Sequence, residues 1–255
     1  RKKSYLCIGL DSDISKIPPH LLKYKNPILE FNKQIIDATH DVCVAYKPNL
    51  AFYEIYGAKG WETLEKTITH IPENIFKIAD AKRGDIGNTS TMYAQAFLEN
   101  MPFDAITIAP YMGEDSITPF LKIKNKWVIV LGLTSNQGAR DFEMLDLGGE
   151  KLYERVIKTV ASWGTPQNTM FVVGATHPHL ISEIRAMVPD YFFLVPGVGA
   201  QGGDMQMTCE NGINQDIGLL INSSRNTLYA SSDENFAQAA RRACKVILEE
   251  MKPFI

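Results

Sequence analysis

The sequence predicts an α/β fold, a (β/α)8 barrel that occupies residues 1–255 as a single domain. Short apolar runs alternate with longer amphipathic stretches from one end of the chain to the other. Eight short runs can be counted, which favours a closed barrel over a six-stranded doubly wound sheet. The length of 255 residues, a hydrophobic fraction of 45% and a net charge of −3 also favour one large core and exclude intrinsic disorder.

The predicted strands are brief and apolar, as expected where both faces of a parallel sheet are buried. We predict them at residues 5–10, 42–46, 76–79, 105–108, 128–133, 170–173, 192–195 and 218–221. Most are followed by an amphipathic helical pattern, and these patterns lie at residues 28–39, 60–69, 90–99, 115–122, 150–162, 180–187 and 234–250. No linker or long charge run interrupts the alternation, so the sequence predicts one domain.

Charge and hydropathy argue against two classes of partner. Lysine and arginine total 26 against 29 acidic residues and form no basic stripe, so no nucleic-acid partner is expected. No apolar run approaches the ~20 residues of a membrane-spanning helix, and the basic residues 1–3 precede too short an apolar stretch for a signal peptide. The four cysteines include no C-x-x-C pair, so we expect reduced thiols, no metal site and a cytoplasmic protein.

Polar residues gather directly after the predicted strands. They are Asp11 after the first strand, Lys47 and Asn49 after the second, Asp80, Lys82 and Asp85 after the third, Thr134 and Ser135 after the fifth, Pro196 and Gly197 after the seventh, and residues 222–225 after the eighth. In a barrel these positions all meet at the carboxyl-terminal mouth, where such enzymes place their sites. The set therefore predicts an active site at that mouth.

The densest cluster is D-A-K-R-G-D-I-G-N-T, residues 80–89. Because side chains alternate along a strand, Asp80 and Lys82 are expected on the same side, with Asp85 in the following loop and Lys47 on the neighbouring strand. Carboxylates beside a lysine favour its ammonium form, and a desolvated ammonium is a candidate proton donor to carbon. A structural ion-pair network, with Asp85 capping the next helix, explains the same spacing equally well.

A second cluster combines P-G-V-G-A-Q-G-G, residues 196–203, with N-S-S-R, residues 222–225. Glycines let backbone N–H groups approach an anion, and an arginine fork grips phosphate through two parallel hydrogen bonds. Phosphate sites in these barrels commonly use the loops after the seventh and eighth strands. These two segments together predict a phosphorylated small-molecule ligand bound by Arg225.

Three further features give weaker evidence of function. The H-P-H segment, residues 177–179, lacks further ligands at metal spacing and is interpreted as loop histidines. Ser135 lacks a G-x-S-x-G elbow, so hydrogen bonding is the better interpretation than nucleophilic attack. The long polar loop 136–149 is either mobile or simply solvated.

The 80–89 segment resembles the D-x-K-x-x-D-I-x-x-T signature of the orotidine 5′-phosphate decarboxylase family. Further motifs occur in the family's order along the whole chain, namely G-L-D, A-Y-K-P-N, A-P-Y-M-G, L-T-S-N, P-G-V-G-A-Q-G-G-D and S-S-R. A-Y-K-P-N together with D-A-K-R-G-D-I-G-N-T is similar to the type 2 branch. The D-x-K-x-x-D portion alone is shared with related phosphosugar decarboxylases and synthases.

The resemblance implies a carboxy-lyase that converts orotidine 5′-phosphate (OMP) to UMP without a cofactor, in the last step of de novo pyrimidine biosynthesis. Lys82 would deliver the proton to pyrimidine C6 within a charge array, and Asp85 and Thr89 would reach the partner's site in a homodimer. The implied catalytic set is Lys47, Asp80, Lys82 and Asp85, and the implied substrate-binding set is Asp11 and Thr89 for ribose, Thr134 or Ser135 for the pyrimidine, Gln201 and Arg225 for phosphate, with Pro196, Gly202 and Ser224 beside them.

Two alternatives stay open at this point. A metal-dependent sugar-phosphate decarboxylase or aldolase of the same barrel superfamily would keep D-x-K-x-x-D but require a divalent ion. A non-catalytic sensor would use the charged mouth only to bind a phosphorylated ligand. The I-G-N-T continuation, residues 86–89, and the Pro48, Asn49 pair after Lys47 favour OMP decarboxylation over the metal-dependent reaction. The sensor is disfavoured because a protein that only binds gains little from adjacent buried like charges.

Overall fold

Eight parallel strands close into a barrel in the computed structural model, which describes residues 3–176, 178–198 and 203–255. The strands are β1 Leu6–Gly9, β2 Ala45–Lys47, β3 Phe76–Arg83, β4 Ala105–Ile108, β5 Trp127–Leu133, β6 Thr169–Val173, β7 Phe192–Pro196 and β8 Leu219–Ser223. Each strand pairs with the next one in the chain, and β8 pairs with β1, so the sheet has no open edge. The predicted fold class is confirmed.

Helices surround the barrel between successive strands. They are α1 Pro27–Thr39, α2 Ala51–Glu54, α3 Ala58–His70, α4 Gly87–Gln95, α5 Glu114–Leu121, α6 Leu152–Trp163, α7 Pro178–Met187, α8 Met205–Gly212, α9 Arg225–Leu228 and α10 Phe236–Met251. A π-helical turn, Ala96–Asn100, extends α4, and short 3-10 helices lie at Pro19–Lys23, Gln137–Asp141 and Lys252–Phe254. In the described ranges no helix has the length and apolar character needed to span a bilayer.

Two apolar cores hold the barrel together. The larger one lies between the strands and the surrounding helices. The smaller one fills the inside of the barrel with side chains from all eight strands, namely Cys7, Ala45, Ile78, Ala105, Ile129, Met170, Val172, Leu194 and Leu220. Because side chains alternate along a strand, the next inward position toward the carboxyl end is occupied by Lys47 on β2, Asp80 on β3 and Thr107 on β4. The interior core is thus the floor on which the polar site rests.

Strand β3 departs from the prediction. It runs to Arg83 rather than ending at residue 79, so Asp80 and Lys82 lie inside the strand. Its pairing with β4 passes from Ala79↔Ile106 to Arg83↔Ile108, which leaves two extra residues on β3 as a bulge. Lys82 has a φ of 46°, in the left-handed region that residues other than glycine rarely adopt. Both residues still face the same side, but through a bulge rather than regular alternation.

Helix α8 was not among the predicted helices. Its sequence, M-Q-M-T-C-E-N-G, has little amphipathic periodicity and ends in a glycine. The helix begins because the Asp204 side chain accepts a hydrogen bond from the Met207 N–H at 2.8 Å, an N-cap contact.

All four cysteine side chains are buried thiols.

Candidate active site

A cavity of about 320 Å³ opens at the carboxyl ends of the strands. It receives most of the residues that the sequence placed at the mouth, together with several that it did not. Its walls are formed by Asp11, Lys47, Asn49, Asp80, Lys82, Thr107, Leu131, Thr134, Ser135, Asn136, Val172, Leu194, Pro196, Gly197, Val198, Asn222, Ser223, Ser224 and Arg225. Polar groups from β2, β3, β4 and β8 face apolar ones from β5, β6 and β7 across this space.

Asp80 is the centre of the charged half. Lys47 Nζ donates to Asp80 Oδ2 at 2.5 Å, and Lys82 Nζ donates to Asp80 Oδ1 at 2.5 Å. The side chains of Lys47 and Asp80 are 6% and 9% exposed, whereas that of Lys82 is 50% exposed. Of the two ammonium groups, Lys82 is therefore the one with open access to a molecule in the cavity.

The charges in this cluster stabilise one another. Burial opposes ionisation of Asp80, but the ammonium groups of Lys47 and Lys82 outweigh it and hold the pKa of Asp80 well below its usual range. Burial also disfavours the Lys47 ammonium, but Asp80 and then Asp11 outweigh that effect and raise the pKa of Lys47. Asp80 and Lys47 are thus both charged at neutral pH.

The main chain around Asp80 is fixed by the segment that follows β2. The Asp80 N–H donates to the Pro48 carbonyl at 3.1 Å, and the Leu50 N–H donates to the Asp80 carbonyl at 3.2 Å. On the other side, Thr107 Oγ1 donates to Asp80 Oδ1 at 3.2 Å. Thr107 escaped the sequence analysis, although it is the one polar residue in the A-I-T-I segment of β4 and lies in phase with the inward positions. That isolated polarity is the signal that could have found it.

Asp85 and Thr89 do not line the cavity of their own chain. Asp85 Oδ1 accepts from the Ile86 N–H at 2.8 Å, and Thr89 is exposed on α4. The N-cap of α4 is Ile86, which makes no side-chain capping bond, so Asp85 does not cap this helix as the structural interpretation supposed. The four-residue charge array within a single chain therefore reduces to Lys47, Asp80 and Lys82.

Pro196, Ser224 and Arg225 also line the cavity, together with Gly197. Ser224 Oγ accepts from Asn222 Nδ2 at 3.2 Å. A side chain on Gly9 would place a Cβ 1.9 Å from Ser224 Oγ, so a larger residue there would force the Ser224 side chain to move.

Arg225 is exposed and makes no ion pair with any residue the structure describes. Its guanidinium is thus available to an anionic ligand group in the cavity. Gln201 and Gly202, assigned to the same end by the sequence analysis, lie outside the described residues, as does His177.

The loop after β5 is anchored by a residue that the sequence analysis missed. The Thr134 N–H donates to Glu143 Oε2 at 2.7 Å, and Thr134 Oγ1 lies 2.8 Å from Glu143 Oε1 and 2.6 Å from Asn136 Oδ1. The Thr134 hydroxyl is therefore engaged within the loop, and both Thr134 and Ser135 line the cavity. No sequence signal identifies Glu143, because this contact joins two irregular segments nine residues apart.

Fixed opposite charges beside an apolar wall suit a reaction in which negative charge develops on carbon and is then quenched by a proton. Together with an arginine that lines the same cavity, the fold and site define a (β/α)8-barrel enzyme for a small anionic substrate. Within the described residues, no group of three or more His, Cys, Asp or Glu side chains is arranged to hold a metal ion.

Comparisons with known proteins give the family. Residues 4–243 match the model of the orotidine 5′-phosphate decarboxylase / HUMPS family. The chain is 56% identical to the orotidine 5′-phosphate decarboxylase of Flavobacterium johnsoniae, over 100% of this chain and 94% of that relative. The chain belongs to this family.

Solved structures agree with that assignment. The structure of Leishmania donovani OMP decarboxylase has a TM-score of 0.84 and 37% identity, and the match covers 97% of this chain and 94% of that one. Leishmania donovani UMP synthase has a TM-score of 0.85 and 39% identity, and here the match covers 96% of this chain but 53% of the longer synthase.

Proposed function

We propose that this protein decarboxylates OMP to UMP without a cofactor, in the last step of de novo pyrimidine biosynthesis. The observation that carries the proposal is the Lys47–Asp80–Lys82 array at the barrel mouth of a chain in this family. The proposed catalytic residues are Lys82, Asp80 and Lys47 of one subunit with Asp85 of the other.

The polar groups of the cavity suit the three parts of a nucleotide. Arg225 would pair with the phosphate, and Thr134 or Ser135 would contact the pyrimidine. Asp11 would accept from a ribose hydroxyl, and in support of this its Oδ1 atom is buried without a hydrogen-bond partner among the described residues. A buried acceptor with no partner is costly, so a ligand hydroxyl that donates to it would contribute to binding.

The chemistry needs electrostatics rather than an electron sink. When the bond between C6 and the carboxylate breaks, its electron pair stays on C6 and CO2 leaves. The ammonium of Lys82 stabilises the developing charge and then gives its proton to C6, and the resulting amine regains a proton from water. Asp80, held as a carboxylate by Lys47, disfavours the substrate carboxylate next to it, and remote binding of the phosphate offsets that cost.

The direct test follows the ultraviolet absorbance of OMP mixed with the purified protein in the presence of EDTA. Steady turnover to UMP under these conditions supports the proposal. Loss of activity on chelation would instead favour a metal-dependent sugar-phosphate decarboxylase or aldolase. Tight UMP binding by calorimetry with no OMP turnover would favour a phosphate-ligand sensor.

We further propose a homodimer in which Asp85 and Thr89 complete the partner's site. In support, the segments after β2, β3 and β4 expose large apolar side chains on the same side of the mouth as Asp85, namely Ile55, Tyr56, Ile86, Met92, Tyr111 and Met112. Tyr111 is 88% exposed and Ile55 is 76% exposed, which is the character of a surface covered by another protein.

A cytoplasmic location stays a prediction, consistent with four buried thiols.

A further inference from the structure

The bulge in β3 creates a local problem for the backbone that carries the proposed proton donor. Two extra residues on β3 interrupt the pairing with β4, so the N–H groups of Ala81 and Lys82 have no main-chain acceptor on that strand. Lys82 also holds an unfavourable left-handed conformation, with φ at 46°. Something in the surroundings must satisfy both N–H groups and maintain that conformation.

Thr107 satisfies both groups with one atom. Its Oγ1 accepts from the Ala81 N–H at 3.0 Å and from the Lys82 N–H at 2.9 Å, and it donates to Asp80 Oδ1 at 3.2 Å. A hydroxyl has one proton and two lone pairs, so these three bonds use its full capacity. Thr107 is 1% exposed, which keeps water from replacing it.

The outer side of the same segment is held by Arg83. Its guanidinium donates to the Ala81 carbonyl at 3.0 Å, pairs with Glu54 and lies over the rings of Tyr93 and Phe97. The Ala81 residue is thus fixed from outside the barrel by Arg83 and from inside by the β4 hydroxyl. Only the inner contact also reaches Asp80.

We propose that Thr107 is a positioning residue for the decarboxylation, an inference that rests on the proposed function. Its hydroxyl ties the Lys82 backbone to the Asp80 carboxylate, and so sets where the Lys82 ammonium stands relative to the reacting carbon. Without it, the bulge can relax and the ammonium shifts, although the charges that bind substrate remain. Turnover should therefore suffer more than binding.

The test compares Thr107→Val, which keeps the shape but removes the hydroxyl, with Thr107→Ser, which keeps the hydroxyl. For Thr107→Val we expect kcat on OMP to fall by about 100-fold, the order that a 1 Å misplacement costs, with KM within about threefold of wild type. Thr107→Ser should recover most of the lost kcat. Amide hydrogen exchange at Ala81 and Lys82 should accelerate in the valine variant and stay near wild type in the serine variant.

Thr169→Val is the matched control. Thr169 is buried at the start of β6, at the other end of the barrel, where its hydroxyl donates to Asn168 Oδ1 at 2.9 Å. The Thr169→Val variant should be less stable than wild type but keep its kcat, as expected where a threonine has a purely structural role. A valine variant at position 107 that keeps its kcat, or that raises KM alone, overturns the positioning role.

The wild-type protein is assayed first in the same series. Absence of OMP turnover in the wild type overturns the proposed function and this role together, whereas hydrogen exchange still reports whether the Thr107 contact holds the bulge. Turnover in the wild type with unchanged exchange in Thr107→Val overturns only the positioning role. The two failures are therefore distinguishable.

Discussion

At the scale of single residues, the arrangement around Asp80 is a buried charge that three side chains stabilise together. Lys47, Lys82 and Thr107 all donate to one carboxylate that is 9% exposed. Breaking a buried pair by removing one charge leaves the other uncompensated, which costs about 3–5 kcal/mol. We therefore expect Asp80→Asn to lower the free energy of unfolding by that order at pH 7, measured by chemical denaturation.

The destabilisation of Asp80→Asn should depend on pH. The pKa of Asp80 is depressed on folding, so its contribution is present above the ordinary carboxyl pKa of about 3.9 and is lost as the pH falls below it. The pKa of Lys47 is raised, so its contribution is present below the ordinary lysine pKa of about 10.4 and is lost as the pH rises through the folded-state value. The deficit should be widest between about pH 4 and pH 10. Asp216→Asn is the control, because Asp216 is exposed and forms no ion pair within the part of the chain that the structure describes. An equal deficit at pH 3 and pH 7 would contradict this account.

Substitutions at Lys82 and Arg225 should affect different kinetic steps. Lys82 is proposed to act on the reacting carbon, and Arg225 on the phosphate. Lys82→Ala should lower kcat by many orders of magnitude, while UMP binding measured by calorimetry persists. Arg225→Ala should mainly weaken binding of OMP and UMP, by about 2–5 kcal/mol if the bound phosphate stays buried without its partner charge. Steady-state kinetics of both variants decide the matter, and equal, small effects would count against both roles.

At the scale of secondary-structure elements, the sequence predicts what burial dictates and misses what local contacts dictate. Strand β5, for example, is recognisable because both of its faces are buried and its residues are apolar throughout. The end of β3 is not, because D-A-K-R is charged and its strand geometry depends on the Thr107 hydroxyl and on Arg83. Helix α8 was missed for a related reason, since one capping carboxylate rather than an amphipathic pattern defines its start.

The loop after β5 also depends on a local contact that the sequence pattern does not reveal, and this contact can be tested. Glu143 accepts from the Thr134 main chain at the proposed pyrimidine contact, which is Thr134 or Ser135. Hydrogen bonds to charged groups contribute about 1.5–3 kcal/mol, so Glu143→Ala should accelerate amide exchange at Thr134 by about 10- to 100-fold. KM for OMP should rise because the pyrimidine end of the site is less ordered.

Glu150→Ala is the matched control for this loop. Glu150 is also a loop carboxylate, but it pairs with Arg155 at 2.5 Å and Lys158 at 3.0 Å, away from the cavity. It should leave both the Thr134 exchange rate and KM unchanged. If the two variants behave alike, Glu143 contributes only surface charge.

At the scale of the whole molecule, barrel closure brings together residues that are far apart in the sequence. The motifs predicted Lys47, Asp80 and Arg225 as members of one site, because the carboxyl ends of all strands meet at one mouth. They could not predict the apolar wall of Leu131, Val172 and Leu194, because those residues read as ordinary core positions. Their role follows only from their height in the barrel, directly beneath the opening.

The proposed dimer makes a quantitative prediction at the same scale. If each site takes Lys82 from one subunit and Asp85 from the other, Lys82→Ala and Asp85→Ala homodimers both lack an intact site. A mixed dimer has one site with both defects and one with neither, because a two-fold axis exchanges the two contributions. Subunits reassorted at random in equal amounts form mixed dimers half of the time, so activity should recover to about one quarter of wild type.

The recovery must appear only after the two inactive variants exchange subunits, for example on co-expression or after dilution and reconcentration. A Lys82→Ala and Asp80→Ala mixture is the control, because both residues belong to the same subunit's site and no combination restores it. Recovery in that control, or none in the first mixture, would mean that Asp85 does not act across the interface. In that case the loss of activity in Asp85→Ala arises within its own subunit rather than in the partner's site.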